Sequence, residues 1–345
     1  MIEQKKESYP SPNTELKVGD FMKKSIGFDV SKSTVDAAFF DGTTMDHFQV
    51  ENSASGFLQI LKKTSLDSTT ELIFTMEATG VYHQRCAEFF SNRGYFVSVV
   101  NPLIIKRYAD MRMSRAKTDK VDAQLIARYG WNEEPYAYRA PSENRCKIRA
   151  FLKVIASLQD AKTQNRNRLE ALGQHARDMS EVATVFTDLN SHISARIKEI
   201  EKTICALVKE ESAEEYDHLL SIPGVGKRLA SAVVGYFGSL DDFESAKQLA
   251  SFIGANPSPR SSGSSVRGHG TISRKGNSYL RRLFYLAALS AYKYNKSCMA
   301  LYERLVTKGK AKKLALIAVA NKLIRQVFAV VKNNRGYDPD FSPQS

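Results

Sequence analysis

The strongest constraint in this 345-residue chain is a change of hydrophobic period part-way along it. Up to about residue 100, short apolar runs (SIGFDV, VDAAFF, HFQV, ELIFTM, YFVSVV) are separated by turn residues or amphipathic stretches, whereas beyond residue 150 apolar positions recur at 4-3 spacing. Short apolar runs bounded by turn residues read as strands; sustained 4-3 spacing reads as long helices. The first three runs are close enough to form hairpins, with Asp41-Gly42 as one turn. Each of the last two follows a predicted helix, near 56–63 and 81–92 respectively, the final strand ending at Asn101-Pro102. Strands that alternate with helices predict an α/β layer with a mixed sheet. Residues 1–22 are polar and read as a flexible tail.

In the middle of the chain, Phe151, Ile155, Leu158, Lys162, Asn165, Leu169 and Leu172 form one seam. A second comprises Ile193, Ile197, Ile200, Ile204 and Leu207. Two such seams joined by 178–188 predict a helical coiled-coil hairpin, although ordinary core helices would show the same spacing. From Tyr216 onward the pattern is that of a compact helical region, with a Ser/Gly/Pro/Arg-rich loop at 256–270 and further helices to about 333.

Charge is divided unevenly. Residues 216–345 hold 20 basic and 7 acidic side chains, which accounts for the whole net charge of +13, and no acid lies between Glu244 and Glu303. A carboxylate-free basic surface attracts polyanions, because each neutralised phosphate releases counterions. Nucleic acid is therefore the expected partner. Cys86, Cys146, Cys205 and Cys298 show no short spacing, which argues against a zinc site or disulfide framework and for a reducing, cytoplasmic setting, where a nucleic-acid partner would put the protein at the nucleoid. No apolar signal segment is read at the N-terminus. The apolar stretch 314–331 is interrupted by Asn321, Lys322, Arg325 and Gln326 and is not expected to span a membrane.

Four acids fall where a sheet can gather them. Asp29 ends the first strand, Glu77 ends the strand LIFTM, and Asp119 and Asp122 in KTDKVDA share one face at the start of a helix. Carboxylates brought together repel unless divalent cations neutralise them, and two Mg²⁺ about 3.5–4 Å apart can clamp both oxygens of a phosphodiester exchange. Lys117 is placed to touch the phosphate. The opening GFDVSKSTVDAAFFDG also fits nucleotide-dependent sugar kinases, but the second half offers a basic serine-rich segment where a kinase would need a glycine-rich adenosine site.

A second candidate site follows. SIPGVGKRLA reads as a tight turn between helices, with Gly224 and Gly226 free to take positive φ and the N–H groups of Val225, Gly226 and Lys227 aimed at an anion beside Arg228. This is the helix-hairpin-helix pattern of phosphate gripping; a purely structural turn is the plainer alternative. Downstream, Ser261, Ser262, Ser264 and Ser265 surround Gly263, bordered by Arg260, Arg267, Arg274, Lys275, Arg281 and Arg282. A serine hydroxyl attacks phosphorus well only when deprotonated and when the phosphate charge is screened, which guanidinium groups can do. The residues alone do not choose among the four serines, and a basic loop that merely clamps DNA would look the same.

Taken together, GFDVSK, MEATGVY, Asn101-Pro102, KTDKVDA, IPGVGKRLA and SSGSSVRGHGTISRKGNSYLRR resemble the DEDD-type insertion-sequence transposases of the IS-one-ten and IS-eleven-eleven groups, from about Ile26 to Asn334. The resemblance implies a RuvC/RNase H-like domain over 23–143, a coiled-coil spacer over 144–215, a helical C-terminal transposase domain with helix-hairpin-helix over 216–335, and a tail over 336–345. It implies that Asp29, Glu77, Asp119 and Asp122 bind Mg²⁺, that Ser262 is the nucleophile, and that a phosphoserine link to DNA forms during transposition. It also implies a structured guide RNA (a bridge or seek RNA) that pairs with donor and target DNA, and homodimers that assemble into tetramers. Delegating sequence choice to base pairing while protein grips the backbone is physically sound. Two readings compete with it: a Holliday-junction-type metal-dependent nuclease using the carboxylates alone, and a non-catalytic nucleic-acid-binding protein.

Overall fold

A computed structural model describes residues 24–64, 72–78, 80–113, 118–133, 135–237, 240, 243–262, 266–272 and 276–339, with backbone alone over 257–262 and 266–272. The predicted tail at 1–22, the part of the tail predicted at 336–345 that follows 339, and Lys117, Gly263, Ser264, Ser265, Arg274 and Lys275 lie outside the described residues. The chain divides into two units, 1–140 and 141–345.

In the first unit, β1 (Lys24–Val30), β2 (Thr34–Phe40) and β3 (Met45–Glu51) form an antiparallel meander. Asp41 organises the β2–β3 turn by accepting hydrogen bonds from the backbone N–H groups of Thr43 and Thr44 at 2.9 and 2.7 Å. After α1 (Ala54–Thr64), β4 (Leu72–Glu77) pairs parallel to β1. After α2 (His83–Ser91), β5 (Phe96–Val100) pairs parallel to β4. The order β3-β2-β1-β4-β5 is the expected mixed sheet, compatible with an RNase H-like domain. Helix α3 (Pro102–Met111) was not expected, although its signal was present: the Asn101 side chain accepts from Leu103 N–H and Pro102 occupies the first turn.

Side-chain alternation separates the two sheet faces. Ile26, Phe28 and Val30 pack with Phe57, Ile60, Cys86 and Phe90 on the α1/α2 side. There the Phe74 and Phe90 rings stack with centroids 4.2 Å apart, and Phe28 lies 5.6 and 5.5 Å from them. The opposite face is lined with small residues and receives α4 (Asp119–Asn132). A Cβ on Gly27 would lie 2.1 Å from Ala127 N and 2.3 Å from Ala123 O; one on Gly130 would lie 2.2 Å from Thr75 Oγ1 and 2.7 Å from Ser25 Oγ. Glycine is required at both places because helix backbone rests directly on the sheet.

The second unit begins with two long helices, α5 (Glu143–Leu172) and α6 (Ser180–Leu220). They run antiparallel: Ser142 Oγ donates to Glu211 at 2.6 Å, Lys162 Nζ to Ser194 Oγ at 2.6 Å, and Asn165 Nδ2 to Asn190 Oδ1 at 3.2 Å. The connection expected at 178–188 is mostly helix; the turn is 173–179, because Ser180 and the residues after it continue the apolar spacing into α6. Ile155, Ile197, Ile200 and Ile204 share a core with Val233, Leu249, Phe284 and Leu323 from later helices. The proximal parts of the pair therefore help build the core of the second unit, while Val182, Val185 and Leu189 near the far end are exposed.

Beyond the turn lie α7 (Lys227–Phe237), α8 (Ala246–Ile253), β6 (Pro257–Ser262), β7 (Val266–Ile272), α9 (Ser278–Tyr294), α10 (Lys296–Thr307) and α11 (Lys312–Lys332). Within the segment expected to be a loop at 256–270, the described residues hold two antiparallel strands, β6 paired with β7. Its Ser, Gly and Pro content conceals the strands because two-stranded pairing is satisfied by backbone hydrogen bonds and needs no apolar stripe. By length and composition alone α11 could cross a membrane, despite its polar interruptions. Its Val319, Leu323, Ile324 and Val327 are instead buried in the core of the unit, with Arg325 exposed on another face.

Candidate active site

Three strands and one helix converge on Asp29. The register pairs Phe28 with Met76, so Asp29 and Glu77, one residue further along parallel strands, are neighbours on one face. Helix α4 crosses this face with a fixed phase: Gly130 sits over Ser25, and Ala123 and Ala127 over Gly27. Two strand residues rise about 6.7 Å and four helical residues about 6 Å, so the next step brings the first turn of α4, with Asp119 and Asp122, to Asp29. The electrostatics agree. Burial first, then the charges of Asp119, Asp122, Glu77 and Asp36, push the Asp29 carboxyl up to about 6 from its ordinary 3.8.

The helix start is built locally. Thr118 is extended, with φ −142° and ψ 150°, and its hydroxyl accepts from Val121 N–H at 3.3 Å. The exposed amides of this first turn favour the two aspartates, which partly offsets their repulsion from Asp29.

Two residues not anticipated from the sequence belong to this neighbourhood. Asp36 is the cross-strand partner of Asp29, is buried, and accepts from His47 Nε2 and Gln49 Nε2, each at 2.9 Å. Its signal was an acid at an inward-alternating position of VDAAFF. Asn52 Nδ2 donates to Ser31 O at 2.8 Å and to Tyr82 O at 3.4 Å, tying together the loops that follow Asp29 and Glu77. Nothing in the local sequence distinguishes Asn52 from a turn asparagine.

The donor set suits a hard divalent cation: only carboxylate oxygens, one of them already destabilised in its charged form. Among the described residues, however, no three acid, imidazole or thiol groups stand in a metal-holding arrangement. Glu77 and Asp122 are partly exposed and Asp119 is fully exposed.

In the second unit Ser262 is the last residue of β6, paired with Val266, and Arg267 is paired with Ser261. The PGVG turn differs from expectation. Gly224 has φ +101°, and a Cβ there would lie 2.5 Å from that of Ala291, so this glycine is needed for close packing against α9. Val225 N–H is not turned outward but donates to Ile222 O at 2.9 Å. Gly226 is not in the positive-φ region and is exposed, as is Lys227. Arg228 is paired with Glu201, Arg282 with Asp160 at 3.2 Å, and Arg281 donates to Ile253 O at 3.1 Å. Arg281 and Arg228 thus also make contacts to the scaffold.

Comparison with known proteins decides the family. A transposase family model of the DEDD IS110 type matches residues 26–175, and one described as Transposase IS116/IS110/IS902 family matches residues 216–303. The "Pilin gene-inverting protein" of Moraxella lacunata is 33% identical over 322 residues, covering 92% of this chain and 98% of the relative. This chain belongs to the IS110 family of transposases. Another similar protein in the family is the "Transposase for insertion sequence element IS1111A" of Coxiella burnetii, 24% identical over 72% of this chain and 74% of its own length. The IS110-family chain is accordingly a DNA transposase/recombinase enzyme.

Proposed function

We propose that this transposase exchanges DNA strands through a phosphoserine intermediate, with Ser262 as nucleophile and Asp29, Glu77, Asp119 and Asp122 as the ligands of Mg²⁺. The observation that carries the acidic half is the Asp29 carboxyl, forced up to about 6 by burial and by the three other acids. Bound Mg²⁺ would neutralise that cluster and screen the scissile phosphate. The Ser262 Oγ–H loses its proton and forms a bond to phosphorus while the bond from phosphorus to one deoxyribose oxygen breaks, that oxygen taking up a proton. A strand hydroxyl then attacks the phosphoserine, restoring a phosphodiester and the serine hydroxyl. One ester replaces another at each step, so no nucleotide hydrolysis is needed.

Lys117, Arg267, Arg274 and Lys275 contact backbone phosphates in this reading, with Lys227 and the Gly224–Gly226 turn as a further grip. A structured guide RNA selects donor and target by pairing, and the basic second unit is suited to hold it. Exposed Val182, Val185 and Leu189 on α6 support assembly of dimers and then tetramers. The name of the Moraxella relative favours inversion between two sites as one outcome of the same chemistry.

Trapping decides between strand exchange and simple hydrolysis. Denaturing gels of the protein with labelled DNA are expected to show a covalent adduct, lost in Ser262→Ala with DNA binding retained. Recombination by Ser262→Ala at the parental rate would remove the nucleophile assignment and leave the metal-dependent nuclease reading.

A further inference from the structure

A groove of about 1400 Å³ crosses the second unit, bounded by α8, α10, α11 and residues 335–339. It exceeds the roughly 300–1,000 Å³ of a small-molecule site. Its walls carry Lys247, Arg304, Lys313, Lys322, Arg325 and Arg335, against Asp338 as the one carboxylate among the described lining residues. None of Lys247, Arg304, Lys313, Lys322 and Arg325 is paired with an acid among the described residues. The floor is apolar, with Leu301, Ile317, Ala318 and Ala329, and Tyr337 also lines the groove.

The groove also has a direction. Ala255, Lys313 and Ile317 are shared with a second pocket of about 250 Å³ at the start of α9, lined by Ser278, Arg281 and Arg282. Asn256 lines the groove and immediately precedes β6, and α9 follows β7, so the combined track runs to the root of the β6–β7 hairpin.

We propose that this track binds an unpaired DNA strand and leads it to the hairpin. The proposal rests on the reading that the hairpin carries the nucleophile. Cations on the walls meet phosphates, and the apolar floor with Tyr337 meets base faces, the division of labour of single-strand binding sites. A duplex turns its base faces inward and would leave the floor uncovered. Unpaired DNA is what strand exchange by this family must create.

The test uses the full chain and fluorescence anisotropy with a labelled single-stranded oligonucleotide, the matching duplex and RNA of the same sequence. The parent is expected to prefer the single DNA strand. Arg304→Ala/Arg325→Ala should weaken single-strand binding about tenfold and flatten its log–log salt slope by about 1.4, since each lost phosphate contact removes about 0.7. Duplex affinity should not change, and Arg304→Lys/Arg325→Lys should bind nearly as the parent, which separates charge from folding. Unchanged single-strand affinity, or equal loss for duplex and single strand, overturns the proposal; tighter binding of RNA than of DNA overturns the assignment of the strand. Ser262→Ala must keep single-strand binding while losing the adduct. An adduct persisting in Ser262→Ala would therefore strike the nucleophile alone, and intact strand binding in the double alanine variant the groove alone.

Discussion

Gly27 shows how one absent side chain organises an acidic neighbourhood. A Cβ at this position would overlap the backbone of Ala123 and Ala127, so α4 reaches the sheet only because residue 27 ends at Cα. Gly27→Ala is expected to cost about 1–3 kcal/mol by overpacking and to displace Asp119 and Asp122. Urea denaturation should show the loss, and DNA cleavage should fall further than stability predicts; full activity would mean that the α4 position is not critical. Glu215 sets a second expectation. Burial raises its carboxyl to about 7 from an ordinary 4.5, against the opposing pull of Arg145 and Ser212. The folded state therefore binds this proton more tightly than the unfolded state, so the contribution is present below pH 4.5 and is lost as pH rises towards 7. Glu215→Gln should stabilise the chain at pH 8 by roughly 1–2 kcal/mol, discounted for partial exposure, and do little at pH 4. Equal effects at both pH values would contradict the assignment.

At the scale of elements, α4 is the piece that carries Asp119 and Asp122 to the sheet. Its N-terminus depends on the Thr118 hydroxyl, and Thr118→Ala should cost about 1 kcal/mol while fraying the turn that holds Asp119. Higher Mg²⁺ should be needed for half-maximal cleavage; an unchanged requirement would separate the cap from the site. The same helix was legible in KTDKVDA because a capping threonine followed by two acids is a local signal. The β6–β7 hairpin was not legible. Strand propensity is low in PSPRSSGSSVRGHGTI, and its pairing is a backbone property that composition does not report. Likewise, the PGVG turn was recognised as a turn, but Gly224 is fixed by the approach of Ala291 from a helix much later in the chain.

For the whole molecule, the acids and Ser262 lie in different units, residues 1–140 and 141–345. If one active site draws its acids from one protomer and its serine from another, mixing Asp119→Asn with Ser262→Ala should restore part of the adduct formation that each variant lacks alone. A mixture as inactive as its components would place both halves of a site within one protomer. The excess of positive charge in residues 216–345 makes binding at this scale salt-dependent, with affinity falling steeply between low and physiological ionic strength.

The mixed α/β sheet, the helix that starts at Asp119 and the basic character of the second unit were written in the sequence, because period, capping and charge are local or additive properties. Sequence alone also left four serines equivalent and saw Asp36, Asn52 and the groove along α11 not at all. Those depend on which residues meet across a sheet or between helices far apart in the chain, and such meetings are set by packing: Gly27 against Ala127, Asp29 beside Asp36, Lys313 and Ala255 lining one groove.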